Sequence, residues 1–118
     1  MALFDVVGKA LNTPVYNLLG GRVRERVLLS HSLSMGTPHE IAAQASDLAE
    51  QGYRTLKAKI GMDPQQDLKT VEAIRERIGD GITLRVDANM GWSSAKEAVQ
   101  HIKALEEFNL ELVEQPLH

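Results

Sequence analysis

The sequence predicts an α/β fold in which four parallel strands alternate with three helices, arranged as part of a (β/α) barrel and preceded by short N-terminal helices. Three observations predict it. Polar residues stand at the ends of four strand-like runs, Ser32, Lys59, Asp87 and Glu114, spaced 27 or 28 residues apart. That beat fits one strand, one helix and two short loops, repeated. A helix-start signal stands in each interval between runs. Finally, the runs alternate: Thr55, Lys57 and Lys59 lie opposite Leu56, Ala58 and Ile60, and Thr83, Arg85, Asp87 and Asn89 lie opposite Ile82, Leu84, Val86 and Ala88. An open doubly wound sheet is apolar on both faces, whereas the inside of a barrel carries charged groups near its catalytic rim. The alternation favours the barrel, with a sheet exposed on one face as the alternative.

The elements follow in order. Leu3, Val6, Val7, Ala10 and Leu11 recur at helical spacing. Gly8 interrupts that helix at a cost of about 1 kcal/mol relative to alanine, for which close packing is a reason. Thr13-Pro14 reads as an N-cap followed by proline at the first helical position, opening a short helix that carries Val15, Leu18 and Leu19 and stops at Gly20-Gly21. Arg22, Arg24 and Arg26 fall in a loop and read as solvated surface.

The first strand is predicted over 27–34, the second over 55–60, the third over 82–89 and the fourth over 110–115. Thr37-Pro38-His39-Glu40, Asp63-Pro64-Gln65-Gln66 and Ser94-Ala95-Lys96-Glu97 read as capping boxes for the intervening helices. Their apolar stripes are Ile41, Ala45, Leu48 and Ala49, then Leu68, Val71, Ile74 and Ile78, then Ala98, Ile102 and Leu105. The order βαβαβαβ implies parallel pairing through right-handed crossovers.

A length of 118 residues corresponds to one domain, with 43% hydrophobic and 25% charged residues. The net charge of −3 gives no global support for binding nucleic acid or an anionic membrane. The absence of cysteine excludes a disulfide frame and a thiolate metal site. The N-terminus has no basic region before Asp5, and no apolar run approaches a membrane span, so a cytoplasmic location is expected.

Asp87 and Glu114 end adjacent strands, and two carboxylates suit a hard dication such as Mg²⁺. Lys57 and Lys59 share the charged face of the preceding strand. A lysine serves as a base when its pKa falls from about 10.4 toward about 7–8, and a like-charged neighbour and a dication both push it that way. These parts suit removal of a proton alpha to a carboxylate. On residue types alone, ordinary lysine–carboxylate pairing across strands is the commoner arrangement. His31, His39, His101 and His118 have no paired spacing and read as surface or structural groups. Trp92 follows Asn89-Met90-Gly91 in a loop, either walling a pocket or packing in the core. Ser30, Ser32 and Ser34 bear on the rim if they share its face, which the sequence leaves open.

Lys57-Ala58-Lys59, Val86-Asp87-Ala88-Asn89 and Val113-Glu114-Gln115-Pro116, in that order and at barrel spacing, resemble the enolase superfamily in its mandelate racemase/muconate lactonizing branch. The stretch from Leu3-Phe4-Asp5 to Leu18-Leu19-Gly20-Gly21 resembles that branch just before its barrel. The resemblance covers essentially the whole chain. It implies a partial (β/α)8 TIM barrel over 27–118, with 1–26 as a helical lead-in from the family's capping region.

The resemblance also implies Mg²⁺ (or Mn²⁺) on Asp87 and Glu114, with the third protein ligand on a strand this chain lacks. Lys59 would be the acid/base, Lys57 its tuning neighbour or a contact to the substrate carboxylate, and Asn89 a supporting or substrate contact. The activity implied is that of an isomerase or lyase (racemase, cycloisomerase or dehydratase type) abstracting the proton alpha to a small-molecule carboxylate, as in muconate cycloisomerases, o-succinylbenzoate synthases or amino-acid or dipeptide racemases. The opposing acid/base is also expected on a later strand, so the chain is expected to be a fragment without a complete site. Open first and fourth strands lead to the expectation of a homo-oligomer that covers them. The alternatives are a metal-binding or assembly module without catalysis, or a half-barrel that is active only as an oligomer.

Overall fold

The computed structural model describes residues 1–118. Helices α1 (Ala2–Ala10) and α2 (Val15–Leu18) lead into strand β1 (Ser30–Ser32). Helix α3 (Pro38–Glu50), strand β2 (Thr55–Lys59), helix α4 (Pro64–Ile78), strand β3 (Thr83–Asp87) and helix α5 (Ala95–Leu105) follow. A 3₁₀ turn, Glu106–Phe108, leads to strand β4 (Leu110–Glu114). The strands form one sheet in the order β1-β2-β3-β4, with every pair parallel. This is the expected α/β unit of four parallel strands and three intervening helices.

Helices α3, α4 and α5 cover one face of the sheet. Leu56, Ala58, Ile60, Leu84 and Val86 meet Ile41, Ala45, Leu48, Val71, Ile74, Ala98 and Leu105 in one apolar cluster. Leu56, Val71, Ile74, Leu84 and Val86 are fully buried, and each such side chain contributes about 1.5–3 kcal/mol by leaving water. Arg75, on α4, is also buried. Its guanidinium donates to the carbonyls of Phe108, Gly79, Ile82 and Asn109 at 2.7–3.2 Å. One side chain thereby ties the end of α4, the approach to β3 and the approach to β4, and satisfies carbonyls that burial would otherwise leave unpaired.

Several elements differ from the sequence expectation. The first strand covers Ser30–Ser32 rather than 27–34, and Val27, Leu28 and Leu29 are exposed. Ser30 pairs with Thr55 at the start of β2. Upstream of Thr55 the chain turns through Gly52 at φ +97°, so no strand exists there for residues 27–29 to pair with. The third and fourth strands end at Asp87 and Glu114, because Asn89 and Gln115 turn to positive φ.

The second helix has Pro14, not Thr13, at its N-cap position. The Thr13 hydroxyl instead accepts from Asn17 Nδ2. The capping box is complete only at Thr37 and Glu40. Asp63 and Ser94 each accept from the backbone N–H three residues on, as expected. The return arm differs: Glu97 accepts from the backbone and hydroxyl of Ser93 rather than from Ser94, and Gln66 makes no return bond to Asp63.

In α1 only Gly8 is buried, while Leu3, Phe4, Val6, Val7 and Leu11 are exposed. A Cβ on Gly8 would stand 2.9 Å from the Thr13 carbonyl oxygen, which supplies the packing reason for a glycine in this helix. No helix is long and apolar enough to cross a membrane.

Candidate active site

Parallel register brings the charged residues to one end of the sheet. Lys59 is opposite Asp87, and Asp87 is opposite Glu114. Side chains of residues paired this way project to the same face. The Lys59 ammonium donates to Asp87 Oδ2 at 2.8 Å and to Asn89 Oδ1 at 2.7 Å. The Lys57 ammonium donates to Glu114 Oε2 at 2.8 Å and lies 3.6 Å from Asp87 Oδ2. Asp87 Oδ1 accepts from the Asn89 backbone at 2.9 Å. All five residues singled out from the sequence therefore meet at this end of the sheet, Lys59, Asp87 and Asn89 in one hydrogen-bonded set and Lys57 with Glu114 in another, the two joined by the Lys57–Asp87 ion pair.

Burial is uneven across that group. The Asp87 side chain is 4% exposed, against 37% for Lys59 and 39% for Glu114, so the centre is enclosed and both flanks are open. Burial works against ionised Asp87, but the Lys59 hydrogen bond, the Asn89 amide and the charges of both lysines outweigh it and hold its carboxyl below the usual range. Lys57 is held above its ordinary value, chiefly by the Glu114 carboxylate to which it donates. It therefore stands as a fixed positive neighbour two residues from Lys59.

The register settles the serines. Ser30 and Ser32 pair with Thr55 and Lys57, so they share the charged face. Ser34 is held on α3 instead, exchanging two hydrogen bonds with Gln44. Among the histidines, His31 packs edge-on against Tyr53 and His101 packs on buried Trp92, while His39 and His118 are exposed. Trp92 is thus a packing residue, although its indole N–H has no partner. The Arg85–Glu111 ion pair extends the charged face toward the strand starts. Arg85 was legible from alternation, but Glu111 was not, because the bulge between Leu84 and Arg85 shifts the β4 register.

Asp87 and Glu114 offer only hard oxygen donors, a set that fits Mg²⁺ and leaves the remainder of an octahedron to waters or other oxygens. No group of three or more histidine or acidic side chains capable of holding a metal is present. Chemically, the rim combines two hydrogen-bonded lysine ammoniums with two carboxylates on neighbouring strands.

A parallel β/α unit with a lysine pair facing two carboxylates at the strand ends has the layout of a β/α-barrel rim. A family model described as "Enolase C-terminal domain-like" matches residues 40–118, and the chain belongs to that family. Its relatives are racemases, epimerases and muconate cycloisomerases of the mandelate racemase/muconate lactonizing branch. The chain is 39% identical to the N-succinyl-L-Arg/Lys racemase of Bacillus cereus, over 99% of its own length and 32% of that protein. It is 41% identical to the L-Ala-D/L-Glu epimerase of Bacillus subtilis, over 100% of its length and 32% of that protein. A crystal structure of the dipeptide epimerase from Cytophaga hutchinsonii, complexed with Mg and the dipeptide D-Ala-L-Val, superimposes with a TM-score of 0.89 at 34% identity, covering 99% of this chain and 32% of that one. The chain spans about a third of the length of the curated relatives it matches.

Proposed function

We propose that this chain supplies the base-bearing part of a Mg²⁺-dependent isomerase that moves the proton alpha to a carboxylate. The observation that carries the reading is Lys59, which donates to both Asp87 and Asn89 at the open end of the sheet. Lys59 is the acid/base in this reading. Lys57, held charged by Glu114, is its electrostatic neighbour and a docking point for a substrate carboxylate. Asp87 and Glu114 hold the metal, which when bound stabilises the charge that develops on the substrate carboxylate. Asn89 orients Asp87 and steadies the lysine.

N-acyl amino acids and dipeptides are the substrates favoured, because the Bacillus cereus racemase and the Bacillus subtilis epimerase act on such molecules by name. The test is exchange of the alpha hydrogen of N-succinyl-lysine and L-Ala-L-Glu in D₂O with Mg²⁺ present. Exchange that disappears in Lys59→Ala supports the assignment, and exchange unchanged in that variant overturns it. Wild type that binds Mg²⁺ but never exchanges points to the alternative, a metal-binding or assembly module.

Both edge strands have a free side, and β4 exposes Leu112. Unpaired edges and exposed apolar residues favour covering by further strands. We propose that a second copy provides them. Size-exclusion with light scattering reads a dimer if this holds and a stable monomer if it does not.

A further inference from the structure

We infer that Asp67, Gly61 and Gly91 form a clamp that fixes Lys59 against Asp87 and Asn89, with Asp67 as its positioning residue. The catalytic meaning of the clamp rests on the function proposed above, while its geometry does not. Asp67 lies in the first turn of α4, where an acid ordinarily sits in solvent near the positive end of the helix. Here it is only 8% exposed. Its carboxylate points back along the chain and accepts from the Gly61 backbone N–H at 2.8 Å. Burial and the charge of Asp63 both raise its pKa, so holding it ionised at this place has a cost that the Gly61 amide helps to offset.

Gly61 comes two residues after Lys59, and Gly91 two residues after Asn89. The two loops touch backbone to backbone at these glycines. Gly61 has φ +99°, and a Cβ on it would lie 2.3 Å from the Ala88 carbonyl oxygen. A Cβ on Gly91 would lie 2.1 Å from the Gly61 oxygen. The Ile60 N–H donates to the Asp87 carbonyl at 3.0 Å just before this contact, and the Gly91 N–H donates to the Ala88 carbonyl at 2.8 Å within it. The loop leaving Lys59 is therefore wedged against the residue between Asp87 and Asn89, and Asp67 holds the wedge from behind. Moving Gly61 swings the root of the Lys59 side chain away from both of its partners.

The test uses the isotopically labelled chain and three forms of it: wild type, Asp67→Ala and Asp67→Asn. NMR reads the Gly61 amide shift and the cross-relaxation between Lys59 Hε and Asn89 Hδ2, circular dichroism reads the fold, and titration with Mg²⁺ alone reads the site. In Asp67→Ala the Gly61 amide should move upfield and the Lys59–Asn89 contact disappear with helicity retained. Asp67→Asn keeps an acceptor oxygen and should restore most of the contact. A contact that survives in Asp67→Ala overturns the clamp, and so does equal loss in both variants together with helicity, which would mark Asp67 as structural only. If wild type does not respond to Mg²⁺, the functional reading fails while the NMR arms still decide the clamp.

Discussion

Helices α1 and α3 carry the same kind of apolar pattern, and their fates differ. Ile41, Ala45 and Leu48 of α3 are buried against the sheet, whereas Leu3, Val6 and Val7 of α1 remain exposed. Helical spacing creates an apolar face in both. Only α3 has a sheet beside it to cover that face, because β1 and β2 bracket it in sequence and pair in space. α1 has only α2, a helix of four residues. Amphipathic pattern therefore states that a face needs a partner, and topology decides whether the partner is there.

Substitutions test this contrast, the largest effects coming from the sheet side. Leu56→Ala, in the fully buried layer, should lower unfolding free energy by about 2–5 kcal/mol in urea titration, whereas Val6→Ala should stay within about 0.5 kcal/mol. Equal effects would show that α1 is packed after all. Glycine offers a similar contrast. Gly61→Ala drives a methyl into the Ala88 carbonyl and should cost about 3 kcal/mol or more, while Gly20→Ala, also at positive φ but with nothing within 4 Å, should cost about 1 kcal/mol. Comparable losses at the two sites would mean that backbone conformation alone sets the penalty.

Arg75→Met should cost about 3 kcal/mol, read by thermal unfolding, because four carbonyls lose their donors in partly or fully buried surroundings. Acid gives a smaller effect. Asp87 has a folded pKa below its unfolded one, so its stabilising contribution is complete above the unfolded value near 3.9 and is lost as pH falls through the folded value. Wild type should therefore lose more melting temperature between about pH 5 and pH 2 than Asp87→Asn does. At the small end, Thr37→Ala removes the one complete capping box and should cost about 1 kcal/mol.

The legibility of each feature follows from the range of the interaction that makes it. Caps at Thr37, Asp63 and Ser94 are local, so their hydroxyl or carboxylate could be read directly. The longer return arm of Glu97 could not, since Ser93 and Ser94 both lie within its reach. Alternation placed Lys57, Lys59 and Asp87 on one face because a strand has a period of two. The length of β1 depended on where β2 begins, which no residue between 27 and 34 encodes. For the same reason no local signal marks Asp67 and Gly91: their roles exist only where two loops from different strands touch. Family resemblance supplied roles for the five rim residues, and geometry added how Lys57 and Lys59 divide the two carboxylates between them.

The strictly consecutive order of the sheet bears on how the chain acquires it. Each strand joins the one made just before it, so Leu56 finds Leu84 and Lys59 finds Asp87 across a single helix and two loops. Closing a loop of that length costs little more than closing a shorter one, since the entropy grows only logarithmically. No strand must wait for a distant segment to be synthesised before it can pair. The sheet can accordingly grow outward from the ribosome one β/α unit at a time, β2 adding to β1, β3 to β2 and β4 to β3.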